Sequence, residues 1–373
     1  MGRERAVLAV AAARSRKRQR VVAAERDAAA HARSRFYGGR YLRLGALGLL
    51  VALALAGCGS TGSIASSSSR DIRGASLILD FTPNAVHAAI YSAIAHHLDR
   101  DDGIHLSVVV PSASTDSIKL LETGRVKFAI LDIHDLAIAR ERGANIVGIM
   151  AIVQRPLAAV LAAPRFRTPA ALQGQTVGIT GVPSDTAVLD SIVTGAGGDP
   201  HRVHTLTIGF NAVPDLLAGR VAAATAFWSD EGVTLQQRRP GFHDFRVDDY
   251  GAPPYPELVV CATGATVSRD RTLAGDLVQT LVDGYGFTRA HPARSAADLE
   301  SLVQGLDPSL VRAQLTALLP AFAGAGGRVG VLDPQTLSRW AAWEVRFGIV
   351  NRRPDVAATF DPGLAASAKP FSG

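Results

Sequence analysis

The chain has 373 residues, room for about two globular domains. At 47% apolar and 19% charged residues it can bury a sizeable core and is not a disordered polymer. The formal charge of +6 is an N-terminal property: residues 1–43 hold 12 Lys or Arg against 3 acids, so the remainder is mildly acidic and lacks the basic footprint of a nucleic-acid binder. Two cysteines, Cys58 and Cys261, exclude a disulfide framework or a cysteine metal cage by count.

Residues 44–56 form an uncharged Leu/Ala/Gly run behind Arg40 and Arg43. It is shorter than the roughly 20 residues a bilayer core needs, and it fits the apolar region of a secretory signal. The run ends Leu55-Ala56-Gly57-Cys58, which resembles a bacterial lipobox, in which the cysteine is lipidated and becomes the new N-terminus. The alternative is an ordinary signal peptide with an incidental Cys58. Residues 1–57 are therefore read as a removed leader, of which 1–39 are a mis-assigned start or a cleaved extension. Residues 58–74, rich in Gly and Ser, read as a flexible tether that lets a domain stand off a membrane.

Beyond the tether, strand and helix patterns alternate. A strand at 77–80 precedes a helix with Val86, Ile90, Ile94 and Leu98 at i+4 spacing, and further strands are expected at 105–110, 126–131 and 146–153, with helices at 117–122 and 135–141 between them. The pattern restarts with a strand at 176–179 and a helix at 186–194. Such alternation argues for an α/β protein with mostly parallel sheets. Leu120-Leu121-Glu122-Thr123-Gly124-Arg125-Val126 returns as Leu216-Leu217-Ala218-Gly219-Arg220-Val221, each a helix stopped by glycine before an apolar strand, which supports two like lobes. The expected division is residues 75–160 plus 263–350 for the first lobe and 161–262 for the second, with 257–262 as a buried hinge strand and 351–373 as a C-terminal tail. Asp333-Pro334 starts a last helix whose Leu337, Trp340, Glu344 and Phe347 share a face.

The loops after the strands carry the polar and aromatic residues, and in open α/β sheets ligands lie outside the carboxyl ends of strands. Phe81, Tyr91, Phe210, Trp228 and Tyr255 offer faces on which a planar heterocycle can stack. Asp132, Glu231 and Glu257 are acceptors for amino groups, while Asn84 and Gln154 can donate and accept together. Ser184, at a strand-to-helix turn, and Ser114, after the second strand, are anion or carbonyl contacts or simple helix caps. His87 has no nucleophile or metal pattern beside it and reads as a hydrogen-bonding cleft residue rather than a general base.

The stretch Asp80-Phe81-Thr82-Pro83-Asn84-Ala85-Val86-His87 resembles the D-W-x-P-N-x-x-H signature of the SsuA/THI5-like (NMT1-type) substrate-binding proteins. The likeness resumes at Ile152-Val153-Gln154-Arg155-Pro156, Gly178 to Ser184, Phe227-Trp228-Ser229-Asp230-Glu231-Gly232 and Tyr250 to Leu258, and so covers most of residues 76–350. Phe81 replaces the branch's usual tryptophan, and Ser229 an asparagine that is common there.

The resemblance implies a two-lobed periplasmic-binding-protein-like (type II) fold and, in its thiamin pyrimidine-precursor branch, a monomeric, lipid-anchored extracytoplasmic receptor that delivers a small planar heterocycle to an ABC permease without cofactor or catalysis. Sulfonate, taurine or riboflavin-type binders share the fold. A sulfonate binder would want cationic cleft residues, and the cleft loops offer only Arg155. A pyrimidine-synthesising THI5-type enzyme would need a lysine for pyridoxal phosphate and a cysteine-rich motif, yet no lysine occurs between Arg18 and Lys119 and Cys261 stands alone.

Overall fold

The computed structural model describes residues 72–372 apart from 114, 183 and 325; Cys58 and Ser114 therefore lie outside the described residues. Among the described residues, ten strands form two five-stranded sheets. The first contains β1 (Arg73–Ile78), β2 (Ile104–Val109), β3 (Phe128–Asp132), β4 (Ile146–Ala151) and, from far along the chain, β10 (Leu258–Thr263), in the order β2-β1-β3-β10-β4. The second contains β5 (Ala158–Ala162), β6 (Thr176–Ile179), β7 (His204–Thr207), β8 (Ala223–Phe227) and β9 (His243–Arg246), in the order β7-β6-β8-β5-β9. In both, the first three strands of the order run parallel and the fourth runs antiparallel to both neighbours.

The sheets are thus repeats of one plan, and the sequence echo falls on equivalent elements. The helix Asp116–Glu122 leads into β3 and the helix Ala212–Leu217 into β8, each the third, central strand in the spatial order of its sheet. Gly124 and Gly219 both take φ +68°, the left-handed turn that ends each helix and that other residues adopt at a cost.

The crossings between sheets differ from the expected division. The chain leaves the first sheet between β4 and β5, before residue 158, and returns between β9 and β10, before residue 258. The apolar run 258–262 is an interior strand of the first sheet, paired with β3 and β4 directly after the second crossing. Glu257 ties the two crossings together: its Oε2 accepts from the backbone N–H of Leu157 at 2.6 Å and of Ala158 at 2.8 Å. The expected tail also packs. Phe360 bridges Gly148 of β4 so closely that a Cβ there would lie 2.7 Å from the ring, and Leu364 and Ala365 are buried.

The helix Arg271–Ala290 packs on β1, β2 and β4 of the first sheet, where Gly284 lets it approach the carbonyl of Ala89; Pro292–Leu302 packs on that helix and Pro308–Leu318 on Pro292–Leu302 and on the helix Val233–Arg238 after β8. The helical pattern from Val86 is interrupted: a 3₁₀ turn at Ala85–His87, a helix at Ala88–Ala95, then His97 at φ 59° before Leu98–Asp101.

Candidate functional site

A cavity of about 870 Å³, mouth included, lies between the two sheets at the carboxyl ends of β1, β3, β6, β7 and β8. One wall is built from Asp80 and Phe81 after β1, Ile118 of the helix Asp116–Glu122 after β2, Asp132 and Asp135 after β3, and Leu258 of β10. Ala158, Thr180, Ser184, Asp185, Phe210, Thr225, Phe227, Asp230 and Glu231 face it from the second sheet. The two halves meet at Phe81 and Phe210, edge to face with ring centroids 4.3 Å apart.

The polar lining is acidic. Six carboxylates border the cavity and no lysine, arginine or histidine does, among the described residues. Each carboxylate is held in place. Asp185 accepts from Thr180 Oγ1 at 2.8 Å, Gly181 N at 2.7 Å and Thr225 Oγ1 at 2.9 Å, yet burial keeps its pKa above the ordinary value. Asp135 accepts from the Ser184 N–H of the other wall at 3.3 Å, and burial, with the charge of Asp132, pushes it up to about 8. Burial and neighbouring Asp230 raise Glu231, which accepts from Phe227 N at 3.1 Å, to about 8. Asp230 accepts from Asn84 Nδ2 at 2.9 Å and from Gln314, and burial brings it to about 6.

Of the residues expected to meet a ligand, Phe81, Asp132, Ser184, Phe210 and Glu231 line this cavity. Asn84 and His87 stand one layer behind. Asn84 caps the helix start through Val86 N and reaches Asp230, while His87 Nδ1 accepts from Asn84 N at 3.2 Å, leaving Nε2 to donate to Asp80 at 2.9 Å. The others do not line it. Tyr91 is buried in the core, where burial raises its hydroxyl pKa. Gln154 donates to the carbonyl of Val331. Trp228 is 4% exposed, with Nε1 donating to Pro156 O at 3.0 Å and the Arg246 guanidinium 4.2 Å from its ring centre. Tyr255 and Glu257 are wholly buried. Aromatic residues beside carboxylates look alike in sequence whether they face a ligand or the interior.

The acidic cavity residues not among the expected ligand contacts are Asp80, Asp135, Asp185 and Asp230. Asp135 and Asp185 sit in first helical turns, where an acid suits the helix dipole and carries no separate signal.

Behind Asp132 lies a buried cluster. His134 packs among Tyr255, Trp340 and Trp343, with Nδ1 against Glu344 and Nε2 3.0 Å from Tyr255 Oη. This explains Glu344 on the otherwise apolar face of the helix Pro334–Arg346.

Two repeated sheets with a cleft at their carboxyl ends define a two-lobed binding-protein fold. Solved structures with that fold include the periplasmic aliphatic sulphonate-binding protein SsuA of Escherichia coli (TM-score 0.62, 15% identity, 79% of this chain and 99% of that one). A ligand-binding component of an ABC-type import system from Staphylococcus aureus is also similar (TM-score 0.64, 12% identity, 80% and 99%). The family model described as NMT1/THI5 like matches residues 84–295, and the chain belongs to that family. A curated relative is the formylaminopyrimidine-binding protein of Halalkalibacterium halodurans, 28% identical over 302 residues, 79% of this chain and 91% of its own. These named relatives and neighbours are binding proteins, not enzymes.

Proposed function

We propose that the chain is the extracytoplasmic solute receptor of an ABC importer, and that its cleft takes a small planar heterocycle bearing amino or ring N–H groups, of the pyrimidine-precursor kind. The observation that carries this reading is the lining itself: aromatic rings for stacking and only carboxylates for polar side-chain charge. Carboxyl groups pair with amino and ring N–H groups, and those that stay ionised attract a protonated ring, whereas a sulfonate would find no cationic partner in the lining. Arg155, the one arginine of the cleft loops, is engaged by Asp248 at 2.9 Å and does not line the cavity. The relative named for formylaminopyrimidine binding supports the same class.

In this reading the ligand's higher affinity for the closed form brings the two lobes together, and the permease recognises the closed shape. The mature protein is a monomer that begins at a lipidated Cys58 and is held at the membrane by that lipid. Among the described residues no helix is long and apolar enough to cross a membrane. Calorimetric titration with an aminopyrimidine, an alkanesulfonate and riboflavin tests the ligand class. Saturable binding of the aminopyrimidine alone is expected; preference for the sulfonate or for riboflavin overturns the reading.

A further inference from the structure

We propose that Asp132, His134 and Glu257 bind one divalent cation of the zinc type in the wall of the cleft. One ligand atom from each lies within 4.8 Å of the others. His134 and Glu257 are fully buried, while Asp132 also lines the cavity and so gives the cluster a route of entry.

The donor atoms are arranged as a metal requires. Glu257 spends Oε2 on the two backbone N–H groups of Leu157 and Ala158, and its Oε1, buried, has no hydrogen-bond partner and lies 3.8 Å from His134 Nε2. Two ligands each about 2.1 Å from a tetrahedral zinc stand about 3.4 Å apart, so this pair needs to close by a few tenths of an ångström, and the widest pair of the set, at up to 4.8 Å, by about 1.4 Å. On its far side His134 Nδ1 meets the Glu344 carboxylate. That outer carboxylate fixes the ring and turns Nε2 toward the cluster, the arrangement usual for metal-ligating histidines. Tyr255 Oη, now 3.0 Å from Nε2, would release that bond or join the donor set.

Charge favours a cation at this place. Three carboxylates, Asp132, Glu257 and Glu344, surround a single imidazole, and none of the three is ion-paired to a lysine or arginine among the described residues. A bound cation would supply the positive charge that buried carboxylates otherwise offset by holding protons. One nitrogen and two carboxylate oxygens suit zinc and its neighbours better than magnesium or calcium. In the sequence Asp132 and His134 stand two apart, but Glu257 follows more than a hundred residues later, so no spacing motif announces the set.

The test uses the metal alone and does not depend on the cleft's organic ligand. The full chain is stripped with chelator and titrated with zinc chloride by calorimetry, alongside elemental analysis. One equivalent is expected. Glu344→Gln, which removes only the outer carboxylate, should weaken it about 10- to 100-fold, and Asp132→Asn and Glu257→Gln by more. Because Glu257 and Glu344 are buried, Asp132→Asn at the cleft edge, shown folded by circular dichroism, is the deciding variant. Absence of a saturable single equivalent, or uptake unchanged in Asp132→Asn, would mean that the cluster holds protons only or that zinc binds surface histidines.

Discussion

Phe81 and Phe210 touch edge to face across the cleft, at 4.3 Å and 67°, one from the loop after β1 and the other from the loop after β7. Neither ring is buried in its own lobe's core; each finds its partner in the opposite wall. Such a pair contributes about 0.5–1.5 kcal/mol beyond area burial. A ligand that enters between the lobes replaces or extends this contact. Phe81→Ala should therefore weaken ligand binding by several-fold to about tenfold, read by calorimetry. Phe81→Trp should restore it. Unchanged affinity in Phe81→Ala would exclude these rings from ligand contact.

Glu231 gives the protein a pH signature. Its pKa is raised from an ordinary 4.5 to about 8, so the folded state holds a proton that the unfolded chain releases. Stability from this group is fully present below about pH 4.5 and is lost as pH rises toward 8. Glu231→Gln cannot ionise and should flatten part of that decline, at most about 1.4 kcal/mol per pH unit. Urea melts of the ligand-free protein from pH 5 to 8 measure it. Equal slopes in the two proteins would place the carboxyl in water.

What the sequence made legible follows from which signals are local. Glycine-stopped helices before apolar strands are local, and Gly124 and Gly219 marked equivalent places in two sheets. The rule that ligands lie at strand ends picked out Phe81, Asp132, Phe210 and Glu231, which line the cavity. Burial direction is not local. Trp228 and Glu257 turn into the crossings between lobes because backbone carbonyl and N–H groups there need partners, and Tyr255 turns inward to His134. Asp135 and Asp185 were hidden by a different ambiguity, since acids in a first helical turn are ordinary.

The leader can be tested independently of the fold. Leu55-Ala56-Gly57-Cys58 follows an uncharged run, and lipidation at Cys58 would hold the receptor at the membrane. Mass spectrometry of the membrane fraction should find a diacylglyceryl-modified N-terminus there. Cys58→Ala should leave the protein in the medium or as uncleaved precursor; processing at the same bond in that variant would rule out a lipobox.

Trp228 separates structural from ligand-binding roles most sharply. Its backbone N–H donates to Leu157 O at 3.1 Å, and its indole Nε1 donates to the carbonyl of buried Pro156 at 3.0 Å, so it clamps the first crossing between the sheets. The guanidiniums of Arg246 and Arg155 lie over its ring at 4.2 and 5.4 Å, occupying the area a ligand would need. Trp228→Phe keeps an aromatic face but leaves the Pro156 carbonyl unpaired, a loss of about 1–3 kcal/mol of stability. Ligand affinity should change by no more than about twofold, well under 1.4 kcal/mol. Chemical denaturation and calorimetry on the same variant read both quantities. Intact stability with affinity reduced about tenfold would reverse the assignment and make the indole a ligand contact.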